Sequence, residues 1–343
     1  MQALVTQPGV AGSTRVADVP EPTGPGVVVR VLEVGVCGTD REISHGLFGI
    51  PPAGGSELVL GHELLGMVEH DGHGFARGDL VTAIVRRSCL HCLACAEGSP
   101  DSCLTGDYFE RGITRLNGFA CELIVEDPAQ IIPIPRSLGR LGVLTEPAAV
   151  CERALRHVRA IGGRQPWELQ RALVLGAGAI GTLSTYLLRL AGLEVWTASL
   201  EPENDLVTAT GAHYVSLADT SPAALGGFDL VIEAAGNAQL MADTLGLLRR
   251  SGVACLLGID PRVQRVELEG QTIALDTVLE NRVLFGSVNA ARQDWLAAVA
   301  DLDRVRERWP GALQQFIGLH APLERFEDAF AHEGGKATLV LAD

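Results

Sequence analysis

The chain has 343 residues, a formal net charge of -15 at pH 7, 47% hydrophobic residues and 20% charged residues. That length accommodates two domains, each large enough to bury its own core. The composition excludes wholesale disorder, and the acidic balance excludes nucleic acid or an anionic membrane as a main partner. Basic residues are almost all arginine, Lys336 being the sole lysine, and GC-rich coding explains that bias without a function. In chain order, strands are expected at 27–36, 80–85 and 119–125, with Gly and Pro between them, which suits a compact, barrel-like β domain. After Glu146 the pattern alternates. A helix at 148–161 leads into a strand at 172–175, a helix at 180–191, a strand at 194–198 and a helix near 205–210. A strand at 230–233, a helix at 239–248 and strands at 253–257 and 283–285 follow. A helix at 292–307 and a strand at 337–341 complete the chain. Strands alternating with helices imply a doubly wound parallel sheet, so the fold class is α/β.

No positive charge precedes the short apolar run at the N-terminus, and no cleavage-like site follows it. The longest charge-free stretch, 172–188, is shorter than the ~20 residues of a membrane helix. It is also interrupted by glycines, and reads as a buried strand entering a buried helix. A soluble, cytoplasmic protein with no membrane partner is expected.

Gly176, Gly178 and Gly181, with Ala177, Ala179 and Ile180 between them, form G-x-G-x-x-G after a strand and before a helix. The three glycines would serve a tight turn, close approach of a pyrophosphate and helix–strand packing, with the helix N-terminus facing the phosphates. The alternative is a tight turn with no ligand. The acid expected about twenty residues on, to hold the adenosine ribose, is displaced. Ser199 occupies its place, Leu200 follows and Glu201 lies two residues beyond. With no lysine or arginine between Arg189 and Arg249 to meet a 2′-phosphate, the reading favours NAD over NADP. Arg262 or Arg265 would be the candidates for reversing it.

Eight cysteines fall at 37, 89, 92, 95, 103, 121, 151 and 255. Cys89, Cys92, Cys95 and Cys103 have the spacing of a closed, tetrahedral structural Zn²⁺ site, four soft thiolates that staple a loop of little core. An iron–sulfur cluster or plain free thiols are the competitors. His91 lies inside this loop, though four cysteines already complete the shell. A second constellation is Cys37 with Asp40, His62 with Glu63, and Glu146 before Pro147. One thiolate, one imidazole and one or two carboxylates leave room for water or substrate on a catalytic zinc. Each also has an ordinary reading: a core thiol, a buried histidine, a helix-start carboxylate.

These motifs occur together in the order of the zinc-dependent medium-chain alcohol dehydrogenases, which the chain resembles over essentially its whole length. It is most similar to their glucose dehydrogenase branch, through residues 37–43, 110–113, 117–119 and 286–289. Phe75 departs from the pattern that follows the Gly-His-Glu run. The resemblance implies a Rossmann dinucleotide-binding domain at 146–289 and a GroES-like catalytic zinc domain at 1–145, to which 290–343 returns. It implies a catalytic zinc held by Cys37, His62 and Glu146, with Glu63 as an alternating or water-mediated ligand, so that two zinc ions bind per chain. It further implies that Thr39, Glu110, Glu146 and Asn289 face a sugar, and that Leu256, Leu257 and Gly258 with Ser287, Val288 and Asn289 line the nicotinamide of NAD or NADP.

The expected reaction moves hydride from a secondary alcohol or hemiacetal of a glucose-like substrate to the cofactor. The metal polarises the substrate oxygen and Thr39 passes its proton outwards. Asp40 either orients a ligand or makes a structural hydrogen bond. The same chemistry on a cyclitol or another metabolite alcohol is an alternative, and a catalytically silent zinc-binding protein is another. A homo-oligomer, dimer or tetramer, is expected.

Overall fold

The computed structural model describes residues 1–262 and 265–342. The chain divides into two compact units, one formed by 1–149, 289–303 and 317–342, the other by the described residues of 150–288 and 304–316.

The first unit is built on Val27–Val36, a ten-residue strand of branched side chains buried along most of its length. It pairs antiparallel with Glu63–Val68, Leu123–Glu126 and Lys336–Val340. Leu80–Ala83 and Ile131–Ile134 extend this sheet on one side, and Ile317–Pro322 on the other. Alternate residues such as Val29, Val31, Leu64, Val81 and Ile124 fill one core. Leu4, Ile43, Leu60, Ala120 and Leu339 belong to a second. The register places Gly35 opposite both Glu63 and Thr338. A Cβ on Gly35 would stand 2.0 Å from Glu63 Oε2, so glycine here makes room for a buried carboxylate inside the sheet.

The second unit holds a six-stranded sheet whose paired strands are all parallel. Its order is His213–Ser216, Glu194–Ser199, Arg171–Leu175, Phe228–Glu233, Leu248–Leu256, Val283–Gly286. Chain order reverses between Arg171–Leu175 and Phe228–Glu233, the switch point where doubly wound sheets bind ligands. The expected α/β class, with a doubly wound parallel sheet in one unit and a β-rich architecture in the other, is observed.

Several elements differ from expectation. The strand expected at 80–85 stops at Ala83. The one expected at 119–125 is Leu123–Glu126, because the backbone of Phe119 and Ala120 bonds instead to Gly61 and Leu60. The helix expected at 239–248 ends at Asp243, where a 3-10 turn, Thr244–Leu247, carries the chain into a strand opened by buried Leu248. The helix Gly38–Ser44 and the strands Glu63–Val68, His213–Ser216 and Ile317–Pro322 were not anticipated. No described helix is long and apolar enough to cross a membrane.

Candidate active site and metal centres

Val27–Val36 ends one residue before Cys37, and Cys37 caps the helix Gly38–Ser44. Its sulfur accepts from Thr39 N at 3.2 Å, while its own N–H donates to Asp40 Oδ2 at 3.0 Å. This reciprocal cap is a capping box with a thiol in the place of a hydroxyl. It turns the Cys37 sulfur towards His62, whose Nε2 lies 3.0 Å away. Asp40 Oδ1 accepts from Gly61 N at 3.3 Å and stands 3.4 Å from His62 Nδ1. Asp40 therefore closes the turn and faces the far side of the imidazole.

His62 ligand atoms lie within 4.8 Å of those of Cys37 and Asp40, and also of those of Glu63 and Glu146. Glu146 comes from the first turn of the helix Thr145–Gly162. Glu63 Oε1 accepts from Lys336 Nζ at 2.6 Å, both side chains being 1% exposed, and Lys336 also donates to Val36 O. The sole lysine thus neutralises one of the carboxylates at the pocket. Thr39, next to Cys37 in the turn, is partly exposed.

The charges of this pocket perturb one another. Burial works against a charged His62, yet the Cys37 and Asp40 charges hold its pKa well above the usual histidine range. Burial pushes Glu146 up to about 7, with repulsion from Glu63 adding to it and His62 opposing. Lys336 is raised against its own burial by Glu63 and Cys37. A buried pocket that draws protons onto its imidazole in this way also favours a divalent cation, which takes the proton's place. Two buried polar atoms, His62 Nδ1 and Glu63 Oε2, have no hydrogen-bond partner. The donor set of thiolate, imidazole and carboxylate suits Zn²⁺.

Cys89, Cys92, Cys95 and Cys103 bring their sulfurs within 4.8 Å of one another. Backbone N–H groups turn onto them: Cys92 N donates to Cys89 Sγ and Leu104 N to Cys92 Sγ, each at 3.4 Å. The His91 backbone, with the Thr105 hydroxyl, holds Cys89 down to about 5, whereas burial and the neighbouring Cys92 thiol push Cys95 up to about 12. Leu90, Leu93 and Leu104 of this lobe are 73%, 69% and 68% exposed, so the lobe has little apolar core and the cluster fits a structural zinc.

In the second unit, Gly176 adopts φ +99, and a Cβ there would sit 2.8 Å from Ala235 N. A Cβ on Gly181 would sit 1.9 Å from Gly176 O. The helix Ala179–Leu190 begins after Gly178 with no side-chain cap, which leaves the N–H groups of Ala179, Ile180 and Gly181 for an anion. Ser199 ends the next strand and hydrogen-bonds Glu201, whose carbonyl accepts from Tyr214 at 2.8 Å. Leu257 and Gly258 donate to Glu233 O, and Ser287 N donates to Leu256 O. These segments therefore meet at the carboxyl ends of the strands. Val288 is exposed. Asn289, at φ +69, belongs to the first unit, where its Nδ2 donates to Glu110 Oε1 at 3.1 Å.

Comparison with known proteins agrees with this geometry. Residues 24–136 match the alcohol dehydrogenase GroES-like domain, and residues 139–342 the glucose dehydrogenase C-terminus. Glucose 1-dehydrogenase of Methanocella arvoryzae is 37% identical over 96% of this chain and 95% of its own. That of Thermoproteus tenax is 37% identical over 99% of both. The structure of Haloferax mediterranei glucose dehydrogenase in complex with NADP, Zn and gluconolactone superposes with a TM-score of 0.91, at 29% identity and full coverage of both chains. The chain belongs to the zinc-dependent medium-chain alcohol dehydrogenases, in their glucose dehydrogenase branch.

Three residues of this dehydrogenase escaped the sequence reading. Lys336 was visible as the only lysine, and its retention in an arginine-rich chain was the available signal. Arg86 pairs with Glu110 (2.9 Å). Glu233 is a fully buried carboxylate whose Oε1 accepts from Ala235 N and Asn237 N beside the glycine loop.

Replacing Cys92 by serine is expected to release one zinc per chain and lower Tm by roughly 10 °C, because a structural zinc contributes folding free energy directly. Calorimetry with elemental analysis checks this, and a variant of unchanged Tm that keeps two zincs contradicts the assignment of the lobe.

Proposed function

We propose that the chain oxidises a secondary alcohol or hemiacetal hydroxyl of a glucose-like sugar, with residues 1–145 and 290–343 as the catalytic domain and 146–289 as the dinucleotide domain. The observation that carries this reading is the convergence on His62 of Cys37, Asp40, Glu63 and Glu146. Cys37, His62 and Glu146 would hold a catalytic zinc, with Glu63 as an occasional ligand, and the four-cysteine lobe a structural one. When bound, the zinc would supply Lewis-acid polarisation of the sugar oxygen, and the nicotinamide the hydride acceptor. Asp40 orients His62 from behind. Thr39, partly exposed beside Cys37, relays the hydroxyl proton outwards. Glu110 and Asn289 bind sugar hydroxyls along with Glu146. Leu256, Leu257, Gly258, Ser287 and Val288 line the nicotinamide, and the loop from Gly176 to Gly181 takes the pyrophosphate.

The cofactor reading is local electrostatics. The Haloferax relative was solved with NADP, yet here the Ser199 hydrogen bond holds the Glu201 carboxyl below the usual range, as an anion. An anion at the end of the second strand repels a 2′-phosphate and accepts from a ribose diol. Arg262 is already held by Asp260 through contacts of 2.8 Å.

A homo-oligomer is part of the same reading. Val283–Gly286 is the edge of the parallel sheet, and Val278, Leu279, Leu284 and Val288 around it are exposed. An unprotected apolar edge of this kind suits pairing with a second copy. Light scattering is expected to give a dimer or tetramer, and a monomer mass contradicts it.

Purified enzyme given glucose is expected to reduce NAD with a kcat/KM at least equal to that for NADP. A clear NADP preference refutes the cofactor reading, and no turnover of any sugar with either cofactor refutes the substrate reading.

A further inference from the structure

The cysteine lobe leaves and re-enters the first unit through a narrow neck. Arg86–Arg87 and Phe109–Arg111 pair antiparallel, with Arg86 directly opposite Glu110. Across that neck, Arg86 Nε donates to Glu110 Oε1 at 3.0 Å and Nη2 lies 2.9 Å from the same oxygen. Asn289 Nδ2 donates a second hydrogen bond to Oε1 at 3.1 Å. Among the described residues, no protein group hydrogen-bonds Glu110 Oε2. The guanidinium is itself fixed on two further sides. Its carbon lies 4.0 Å from the centre of the Tyr108 ring, and Nη1 donates to the Asp101 carbonyl at 2.8 Å, inside the lobe. The Arg86 and Glu110 side chains are 9% and 12% exposed.

This arrangement treats the two oxygens of one carboxylate differently. Oε1 accepts two hydrogen bonds, from Arg86 Nε and Asn289 Nδ2, with Arg86 Nη2 in ion-pair contact. Oε2 is left facing outwards, and an ionised carboxylate offers only acceptor capacity there. We infer that Arg86 is a positioning residue that fixes the Glu110 carboxylate with Oε2 free to accept, so that the sugar must present a hydroxyl that donates to Oε2. The inference rests on the reading above that Glu110 faces the sugar. It adds a selection rule. An analogue that loses that hydroxyl, or carries it as a methyl ether, leaves this acceptor unpaired in the sugar complex and is disfavoured, because neither can donate. It also gives the lobe a second use, since the Asp101 carbonyl that steadies Arg86 sits two residues before Cys103.

The test is steady-state kinetics of the holoenzyme with glucose, each monodeoxyglucose and each mono-O-methylglucose, comparing wild type with Arg86→Lys and Arg86→Gln. In wild type, one ring position is expected to discriminate hydroxyl from both deoxy and methyl ether by roughly 10-fold or more, the scale of a hydrogen bond to a charged group. Arg86→Gln is expected to raise KM for glucose ~10-fold, to leave kcat within ~3-fold and KM for the cofactor unchanged, and to reduce discrimination at that position by a similar factor. Arg86→Lys, which keeps the charge without the planar fork, is expected to recover part of it. Should neither fold, Tyr108→Leu keeps the arginine and removes the ring beside it, and is expected to raise KM for glucose ~3-fold at constant kcat. A fall in Tm with discrimination unchanged would mean a structural role only and overturn the inference. Wild-type turnover of sugars with no position sensitive to both analogues would overturn it while sparing the sugar dehydrogenase reading, and absence of sugar turnover would overturn both.

Discussion

The buried ion pair between Lys336 and Glu63 is the constraint around which the catalytic unit is arranged. Both partners are almost completely removed from solvent, where an uncompensated charge is costly, and removing one partner of such a pair typically costs about 3–5 kcal/mol. The pair does not neutralise its surroundings. Cys37 and Asp40 add further negative charge around His62, and its raised pKa registers the imbalance. A divalent cation is the economical way to balance such a pocket. In the proposed site, this excess of negative charge would contribute to the binding free energy of the ion.

Backbone geometry places these groups. Val27–Val36 delivers Cys37 at its end, and its register with Glu63–Val68 sets Gly35 against Glu63. Lys336 arrives from the opposite neighbour, the strand Lys336–Val340, at the first residue of that strand. A one-residue slip of either pairing would send Glu63 or Lys336 to the other face of the sheet. The rigid sheet positions the charges, and the exposed lobe, with little core, depends on its own cysteines.

Much of this was legible in the sequence where the signal is local. The glycine loop lies in one strand–turn–helix, and the four thiols lie in one loop. Their spacing was enough to raise a dinucleotide loop and a four-thiolate metal site as expectations. The second metal constellation came from scattered residues and was readable mainly through family resemblance. What stayed hidden is non-local. Lys336 meets Glu63 across 273 positions, Asn289 meets Glu110 across 179, and no periodicity links such pairs. The helix Gly38–Ser44 was missed because its cap is a cysteine, not one of the usual Ser, Thr, Asp or Asn residues. The helix expected to run to Leu248 was cut short because tertiary burial of Leu248 in the sheet outweighs local helical preference.

The central claim is that the charges around His62 form a site for one zinc, separate from the four-cysteine lobe. The most direct measurement is elemental analysis of the wild-type chain beside His62→Ala, with circular dichroism as the control for folding. The account predicts two zinc ions per wild-type chain and one in the folded variant. Two in both, or one in both, would contradict it.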